Sequence, residues 1–176
     1  MRKKSIIFLV VFLVLVLIVA LLVLQSTTSV PRFSVGESSE EHEILFPVAR
    51  VIDGDTIDVV IDGKTERIRF IGIDTPETVD DRKKIQCYGP ESSAHMKELL
   101  SGKSVALETK PDEDRDDYGR LLRYVFLGDT DIGATMLEEG YARSLCFAFP
   151  HPRCAEYEAL EEVAKSAGRG RWEACR

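Results

Sequence analysis

Two Asp-Gly turns divide the middle of the chain into three runs of β-branched and apolar residues. The runs are Val48–Ile52, Thr56–Ile61 and Glu66–Ile73, and the turns between them are Asp53-Gly54-Asp55 and Asp62-Gly63. Because Asp-Gly readily adopts the positive φ angles that a tight hairpin requires, this spacing predicts a three-stranded antiparallel meander.

The second half of the chain alternates between helical and strand patterns. Gly89-Pro90 and Gly102 bracket a predicted helix, because Pro is favoured in a first turn and Gly just past a helix end. The predicted elements are a helix at Pro90–Ser101, strands at Ser104–Thr109 and Leu121–Leu127, a short helix from Asp131 to Gly140, and a helix at Ala155–Ala167. We therefore predict a mainly β fold with helices (α+β): a five-stranded Greek-key barrel of the OB type with about three helices.

An unbroken apolar run of 19 residues, Ile6–Leu24, lies near the N-terminus. As a helix it would span about 28 Å, close to the thickness of a bilayer's hydrocarbon core. The basic stub at 1–5 should stay cytoplasmic, which places the linker at 25–42 and the domain at 43–176 outside. We expect a single-pass signal anchor. A cleaved signal peptide is the alternative, with a weak cleavage candidate at Thr27-Thr28-Ser29, and both interpretations export the domain.

Four cysteines, Cys87, Cys146, Cys154 and Cys175, all fall within the predicted domain. The absence of C-x-x-C pairs argues against a zinc site, whereas an exported domain favours disulfides. We predict two disulfides, with four unrelated buried thiols as the alternative. The sequence does not choose among the three possible pairings.

The net charge is −7, and the segment beyond the basic Arg2-Lys3-Lys4 carries −10. Proteins that hold nucleic acid by charge alone are usually basic. A polyanionic substrate would therefore have to be attracted locally, by a bound cation and a few placed arginines.

Three short polar segments are candidates for chemistry. They are Asp53-Gly54-Asp55-Thr56, the segment from Arg69 through Asp74-Thr75-Pro76-Glu77, and Asp116-Asp117-Tyr118-Gly119-Arg120. Each alone is adequately explained as a turn with solvated charges. In a continuous strand Arg69 would share a face with Ile71 and Ile73, so it would project from an otherwise apolar wall.

Taken together, these segments resemble the staphylococcal nuclease (thermonuclease) family in order and spacing. The resemblance runs from Val48 to Trp172 and includes Tyr88-Gly89-Pro90-Glu91 and Gly140-Tyr141-Ala142. It implies a calcium-dependent nuclease of DNA and/or RNA with a monomeric catalytic domain, and it does not imply a protein partner. It also implies roles for individual residues: Asp55, Asp74 and the Thr75 carbonyl would bind Ca²⁺, Glu77 would hold or deprotonate water, Arg69 and Arg120 would clamp the scissile phosphate, and Tyr118 would contact the nucleotide.

The chemistry of these residue types agrees with those roles. Attack on a phosphodiester needs a cation, a positioned water and donors aimed at the transition state. Hard oxygen ligands suit calcium, and the planar fork of arginine suits phosphate. A basic run, Arg82-Lys83-Lys84, could steer phosphates towards the site, although a solvated charge run explains it equally well. Where the family's best-known member has two nucleotide-binding tyrosines, this chain has Cys146 and Ala148, which leaves the mode of base stacking open.

Two rival interpretations belong to other functional classes. An exported OB-type barrel could bind nucleic acid without hydrolysing it, but family relatives of that kind lose the acidic and arginine positions that are present here. A surface protein with structural Ca²⁺ would explain the carboxylates but not the two arginines. The sequence does not indicate whether DNA or RNA is preferred.

Overall fold

The structure is a computed structural model that describes residues 44–78, 85–111 and 114–176. The predicted basic stub, transmembrane anchor and linker lie outside the described residues, as does the basic run Arg82-Lys83-Lys84. Within the described ranges, no helix is both long enough and apolar enough to cross a bilayer.

Five strands form a closed barrel. They are β1 (Phe46–Val51), β2 (Thr56–Ile61), β3 (Lys64–Phe70), β5 (Ser104–Glu108) and β6 (Leu121–Leu127). Antiparallel pairing joins them in the order β3-β2-β1-β5-β6, and a parallel pairing of β3 with β6 closes the ring. The predicted meander and the five-stranded OB-type barrel are therefore confirmed.

In the described part of the chain, three two-residue strands and four helices surround the barrel. The strands are β4 (Ile73–Asp74), β7 (Thr130–Asp131) and β8 (Arg143–Ser144), and the helices are α1 (Gly89–Leu100), α2 (Ile132–Glu138), α3 (Cys154–Ser166) and α4 (Arg171–Ala174). The three predicted helices are confirmed, whereas the short α4 was not predicted. Asp131 caps α2 by accepting from the Ala134 N–H at 3.1 Å. That bond satisfies a backbone donor which the helix itself cannot.

The core joins the barrel interior to the inner faces of the helices. Its fully buried side chains include Ile57, Ile68 and Val125 from the strands, with Leu100, Leu137 and Tyr157 from the helices. Burying side chains of this size contributes about 1.5–3 kcal/mol each. One contiguous core therefore fixes the barrel wall against which the cleft is built.

The prediction of one strand from Glu66 to Ile73 was wrong at its end. β3 stops at Phe70, and the backbone turns at Gly72, whose φ of 76° strongly favours glycine. The turn breaks the alternation, so Ile71 and Ile73 are buried while Arg69 lies on the face opposite Ile68 and Phe70. Arg69 therefore does not share a face with the two isoleucines.

The four cysteines form two disulfides, as predicted. Cys87, just before α1, is bonded to Cys175 at the end of α4, with a Cα–Cα distance of 5.9 Å. Cys146 is bonded to Cys154, which closes the connection between β8 and α3, with a Cα–Cα distance of 5.4 Å. The first bridge ties the end of the chain to the first helix, and the second constrains a local loop.

Candidate active site

An open cleft with a volume of about 1090 Å³ lies along β2 and β3. It is lined by residues from all three polar segments: Asp55, Arg69, Asp74, Thr75, Glu77, Tyr118 and Arg120. Every predicted site residue within the described ranges therefore lies at one place. Arg82, Lys83 and Lys84 lie outside the described residues, so their proposed contact with substrate stays a prediction.

Asp55 is held in the turn between β1 and β2 by donors from a different segment. The backbone N–H and the hydroxyl of Thr75 donate to its Oδ2 at 2.8 and 2.9 Å. The Thr56 hydroxyl donates to its Oδ1 at 3.0 Å. Because charge-assisted hydrogen bonds are the stronger kind, these contacts fix the Asp55 carboxylate against the Asp-Thr-Pro-Glu turn.

Arg69 lies between the two predicted calcium-binding aspartates. Its Nε is 3.3 Å from Asp55 Oδ1, and its Nη2 is 3.5 Å from Asp74 Oδ1. Its Nη1 donates to the backbone oxygens of Phe70 and Ile73 at 2.9 and 2.8 Å. With only 12% of its side chain exposed, this guanidinium is built into the cleft wall.

Asp74 has a second arginine partner that the sequence analysis missed. Arg143 lies directly opposite Asp74 in the β4–β8 pairing, and its Nε and Nη2 are 2.9 and 2.8 Å from Asp74 Oδ2. The clue in the sequence to Arg143 was its position immediately after the family-like segment Gly140-Tyr141-Ala142. A cation bound by Asp74 would share that carboxylate with Arg69 and Arg143.

Asp53 is a third carboxylate at this end of the cleft. The sequence analysis included it in a candidate segment but gave it no role. Its Oδ1 accepts from the backbone N–H of Asp55 at 3.0 Å. Burial, and then the negative charge of Asp55, raise the pKa of Asp53 to about 6. The contribution from Asp55 shows that negative charge is crowded here.

A hard divalent cation fits this donor set. The candidate ligands are carboxylate and backbone oxygens, which Ca²⁺ prefers, and a cation would relieve the crowding of negative charge around Asp55. Elsewhere in the described residues, possible metal-ligand atoms of Cys146, His151 and Cys154 lie within 4.8 Å of one another. The two sulfurs of that group are bonded to each other, so it offers no thiolate pair for zinc.

Glu77 and Arg120 face the same cleft from two different loops. Glu77 Oε1 accepts from the Thr78 N–H at 3.2 Å, and the Glu77 N–H donates to Gln86 Oε1 at 3.2 Å. Arg120 Nε donates to Asp116 Oδ2 at 2.7 Å, while its backbone N–H donates to Asp116 Oδ1 at 2.9 Å. Asp116 thus orients Arg120 from within a tight turn.

Tyr118 lies at the rim of the cleft. Its side chain is strongly exposed, at 86%, and its ring centre is 5.4 Å from the guanidinium carbon of Arg120. An aromatic ring in water beside an arginine can stack on a base or contact a phosphate without rearrangement of the core.

Beyond Arg69 the cleft continues to Arg50, Asp58 and Arg67, none of which the sequence analysis singled out. The signal for Arg67 was available, because residues two apart in a strand share a face and Arg67 precedes Arg69 by two.

Comparison with known proteins gives concordant results. A family model described as "Staphylococcal nuclease homologue" matches residues 67–174. The chain is 40% identical over 146 residues to a thermonuclease of Staphylococcus hyicus, covering 83% of this chain and 84% of that protein. It is 43% identical over 118 residues to a thermonuclease of Staphylococcus intermedius, covering 67% of each chain. It is also 38% identical over 124 residues to endonuclease YncB of Bacillus subtilis (strain 168), covering 70% of this chain and 59% of that protein.

Proposed function

The chain belongs to the staphylococcal nuclease family, and on that premise we propose that it is a calcium-dependent nuclease that hydrolyses phosphodiester bonds of DNA or RNA. The observation that carries the proposal is the convergence of Arg69, Arg120 and Glu77 on the cleft that also holds Asp55 and Asp74. Relatives named as thermonucleases and as an endonuclease support the same reaction class.

Each residue has a part to which its surroundings are suited. Asp55, Asp74 and the Thr75 carbonyl would hold Ca²⁺, which when bound supplies positive charge against the phosphate. Arg69, on β3, and Arg120, in the loop before β6, would donate to the phosphate oxygens, where charge grows in the transition state. Glu77 accepts the proton of the attacking water. Tyr118 positions the nucleotide from the rim.

The two arginines differ in how they are held. Arg69 is anchored on two backbone oxygens, so it is preorganised before substrate arrives. Among the described acidic residues, only Asp116 pairs with Arg120, and 28% of the Arg120 side chain is exposed. Arg120 can therefore adjust to the bound phosphate, whereas Arg69 is fixed in place and offers the phosphate chiefly its Nη2, the nitrogen with the longest protein contact, 3.5 Å to Asp74 Oδ1.

We also propose that the domain is displayed on the outer side of a membrane, anchored by 6–24. The apolar run and the basic residues before it support this topology, and the two disulfides suit an oxidising compartment. Retention in membranes after a carbonate wash, with release of the domain by external protease, is the expected outcome. Recovery of a soluble mature chain that begins near Val30 would show cleavage instead.

The decisive test is hydrolysis of single-stranded DNA, duplex DNA and RNA by the purified protein, in Ca²⁺ and in EDTA. Glu77→Gln keeps the shape of the side chain but removes the base, so kcat should fall by about 10²–10⁴. Glu158→Gln on the exposed face of α3 removes the same charge away from the cleft and should be neutral. Undiminished activity in EDTA would refute the calcium assignment. Absence of hydrolysis with all three substrates in Ca²⁺ would refute the nuclease.

A further inference from the structure

Arg50, Asp58 and Arg67 form a row across three neighbouring strands. The β-sheet register places Asp58 of β2 opposite Arg50 of β1 and also opposite Arg67 of β3. Arg50 donates to Asp58 Oδ2 through Nη2 at 2.8 Å and Nε at 3.3 Å. Arg67 donates through Nε to Oδ1 at 2.8 Å and through Nη2 to Oδ2 at 3.4 Å.

This row carries more positive charge than it needs for its own structure. The side chain of Asp58 is only 6% exposed, whereas those of Arg50 and Arg67 are 65% and 47% exposed. One arginine would neutralise the carboxylate, so the second is surplus. Each guanidinium has five N–H donors, and among the described residues Asp58 is the only hydrogen-bond partner found for either one, although the charge of Asp53 also acts on Arg67. Several donors on each therefore remain for a ligand in the cleft.

The row lies beside the candidate catalytic centre. Arg67 and Arg69 are two residues apart on β3, so they share a face and are separated along the strand by about 6.6–6.8 Å. Successive phosphates of an extended nucleic-acid strand have a comparable spacing. All three arginines line the same cleft, so a strand with one phosphate at Arg69 can place a neighbouring phosphate at Arg67 and Arg50.

We propose that Arg50 and Arg67 form a second phosphate site, which binds the phosphate next to the scissile one, with Asp58 as the group that orients both arginines. The proposal rests on the nuclease function proposed above. It predicts that the protein uses polymers better than isolated phosphodiesters, because an isolated diester leaves this second site without a ligand.

The test compares two substrates. One is a short single-stranded oligonucleotide; the other is a nitrophenyl ester of a mononucleotide, which has a single phosphodiester and no neighbouring phosphate. Arg50→Gln and Arg67→Gln should each raise KM for the oligonucleotide about tenfold, the scale of one charge-assisted contact. Each should also reduce the slope of log KM against log salt by about 0.7. Values of kcat/KM for the mononucleotide ester should be unchanged.

Two further variants separate binding from folding. Asp58→Asn keeps both arginines but removes the carboxylate that orients them, so KM for the oligonucleotide should rise even though the cleft gains positive charge. A fall in KM would show that Asp58 only competes for the arginines and would overturn its orienting role. Arg176→Gln, an exposed arginine paired with Glu173 near the C-terminus, is the matched control for loss of charge and should change neither quantity. Melting temperatures of all variants identify any that fail to fold.

A substrate with one uncharged linkage then locates the contact. Replacing a phosphate next to the cleaved one by a methylphosphonate should cost wild type at least as much as Arg67→Gln does, because it removes the contacts of both arginines. The two changes together should cost no more than the methylphosphonate alone. Equal effects of the arginine variants on oligonucleotide and mononucleotide ester, or none on either, would overturn the second phosphate site. If wild type hydrolyses neither substrate, the nuclease function itself would be overturned.

Discussion

Arg69→Lys separates the structural role of Arg69 from its chemical one. The substitution keeps the charge but replaces a planar fork by a single ammonium. That ammonium cannot reach the Phe70 and Ile73 oxygens, Asp55 and Asp74 together. Each buried polar group left without a donor costs about 1–3 kcal/mol. With one or two such groups orphaned, we expect a loss of about 2–4 kcal/mol of stability.

Arg120→Lys is the matched comparison, because Arg120 has the same proposed role in a different setting. Its described acidic partner is Asp116, and 28% of its side chain is exposed. Its loss should cost less than about 1 kcal/mol, as is usual for partly exposed ion pairs. Both substitutions remove a phosphate fork, so both should lower kcat on an oligonucleotide by about 10³–10⁵, the scale of arginines in phosphoryl transfer.

The assay pairs thermal melting with steady-state kinetics at saturating substrate. For a chain of this size, about 2–4 °C in Tm corresponds to 1 kcal/mol. The Tm should therefore fall by about 5–15 °C in Arg69→Lys and by less than about 4 °C in Arg120→Lys, while the fall in kcat is similar. Equal changes in Tm would refute the view that Arg69 is part of the wall. An effect confined to KM would show uniform binding rather than transition-state stabilisation.

Three other predictions follow from particular contacts. Replacing both Cys87 and Cys175 by Ser removes the bridge that closes a loop of 88 positions, and the chain-entropy model gives such a bridge about 4–5 kcal/mol of stability. The Tm should therefore fall well below that of the protein with Cys146→Ser and Cys154→Ser, whose bridge closes a much shorter loop. Equal Tm values would contradict this. Burial, and then the charges of Lys110 and Arg153, lower the pKa of His151, so the folded state resists its protonation. The contribution of neutral His151 to the free energy of unfolding should be complete above about pH 6.5, the pKa of an unfolded histidine, and should be lost as the pH falls through the lower pKa of the folded protein. A His151→Asn protein whose Tm changes with pH in the same way as wild type between about pH 7.5 and 5 would refute this. Asp116→Asn weakens the hold on Arg120 and should lower kcat about 10–100-fold. The same change at Asp129, an exposed aspartate outside the cleft lining, should not, and unchanged kcat in Asp116→Asn would show that Arg120 orients itself.

The parts of the fold that the sequence predicted are those that local chemistry decides. Asp-Gly turns, the capping side chain of Asp131 and the glycines at 102 and 140 act within a few residues of themselves. The same holds for the site residues, since three short segments carried most of them. Their convergence followed from the resemblance to a known family rather than from any local pattern.

The parts that were missed depend on contacts between distant segments. Arg143 becomes a partner of Asp74 only because β8 pairs with β4, and Arg50 reaches Asp58 only through the β1–β2 register. Helical periodicity places Val163 on the same face of α3 as Tyr157 and Ala164, yet Val163 is 46% exposed, because α3 packs chiefly through the other two. Periodicity identifies a face but not how much of it a neighbour covers.

The charges of the cleft show how an acidic chain can bind a polyanion. Among the described residues, five carboxylates and four guanidiniums line it, which is one more negative than positive charge, and a bound Ca²⁺ would reverse that sign. The overall charge of −7 is then a background that a local field overcomes, since screening confines interactions between exposed charges to about 8–10 Å.

If Ca²⁺ makes the cleft positive, bound Ca²⁺ must increase the affinity for nucleic acid. Because linkage is reciprocal, bound nucleic acid must then increase the affinity for Ca²⁺ by the same factor. Couplings of this kind are commonly about 5–150-fold. The measurement is anisotropy of a labelled oligonucleotide with phosphorothioate linkages, which slow its hydrolysis, titrated at several Ca²⁺ concentrations. Calcium binding is then measured with and without the oligonucleotide. Asp55→Asn should weaken the coupling, whereas Glu158→Gln on α3 should leave it intact. Oligonucleotide affinity that is independent of Ca²⁺ would mean that the arginines alone attract the substrate, and the reversal of charge in the cleft would then play no part in binding.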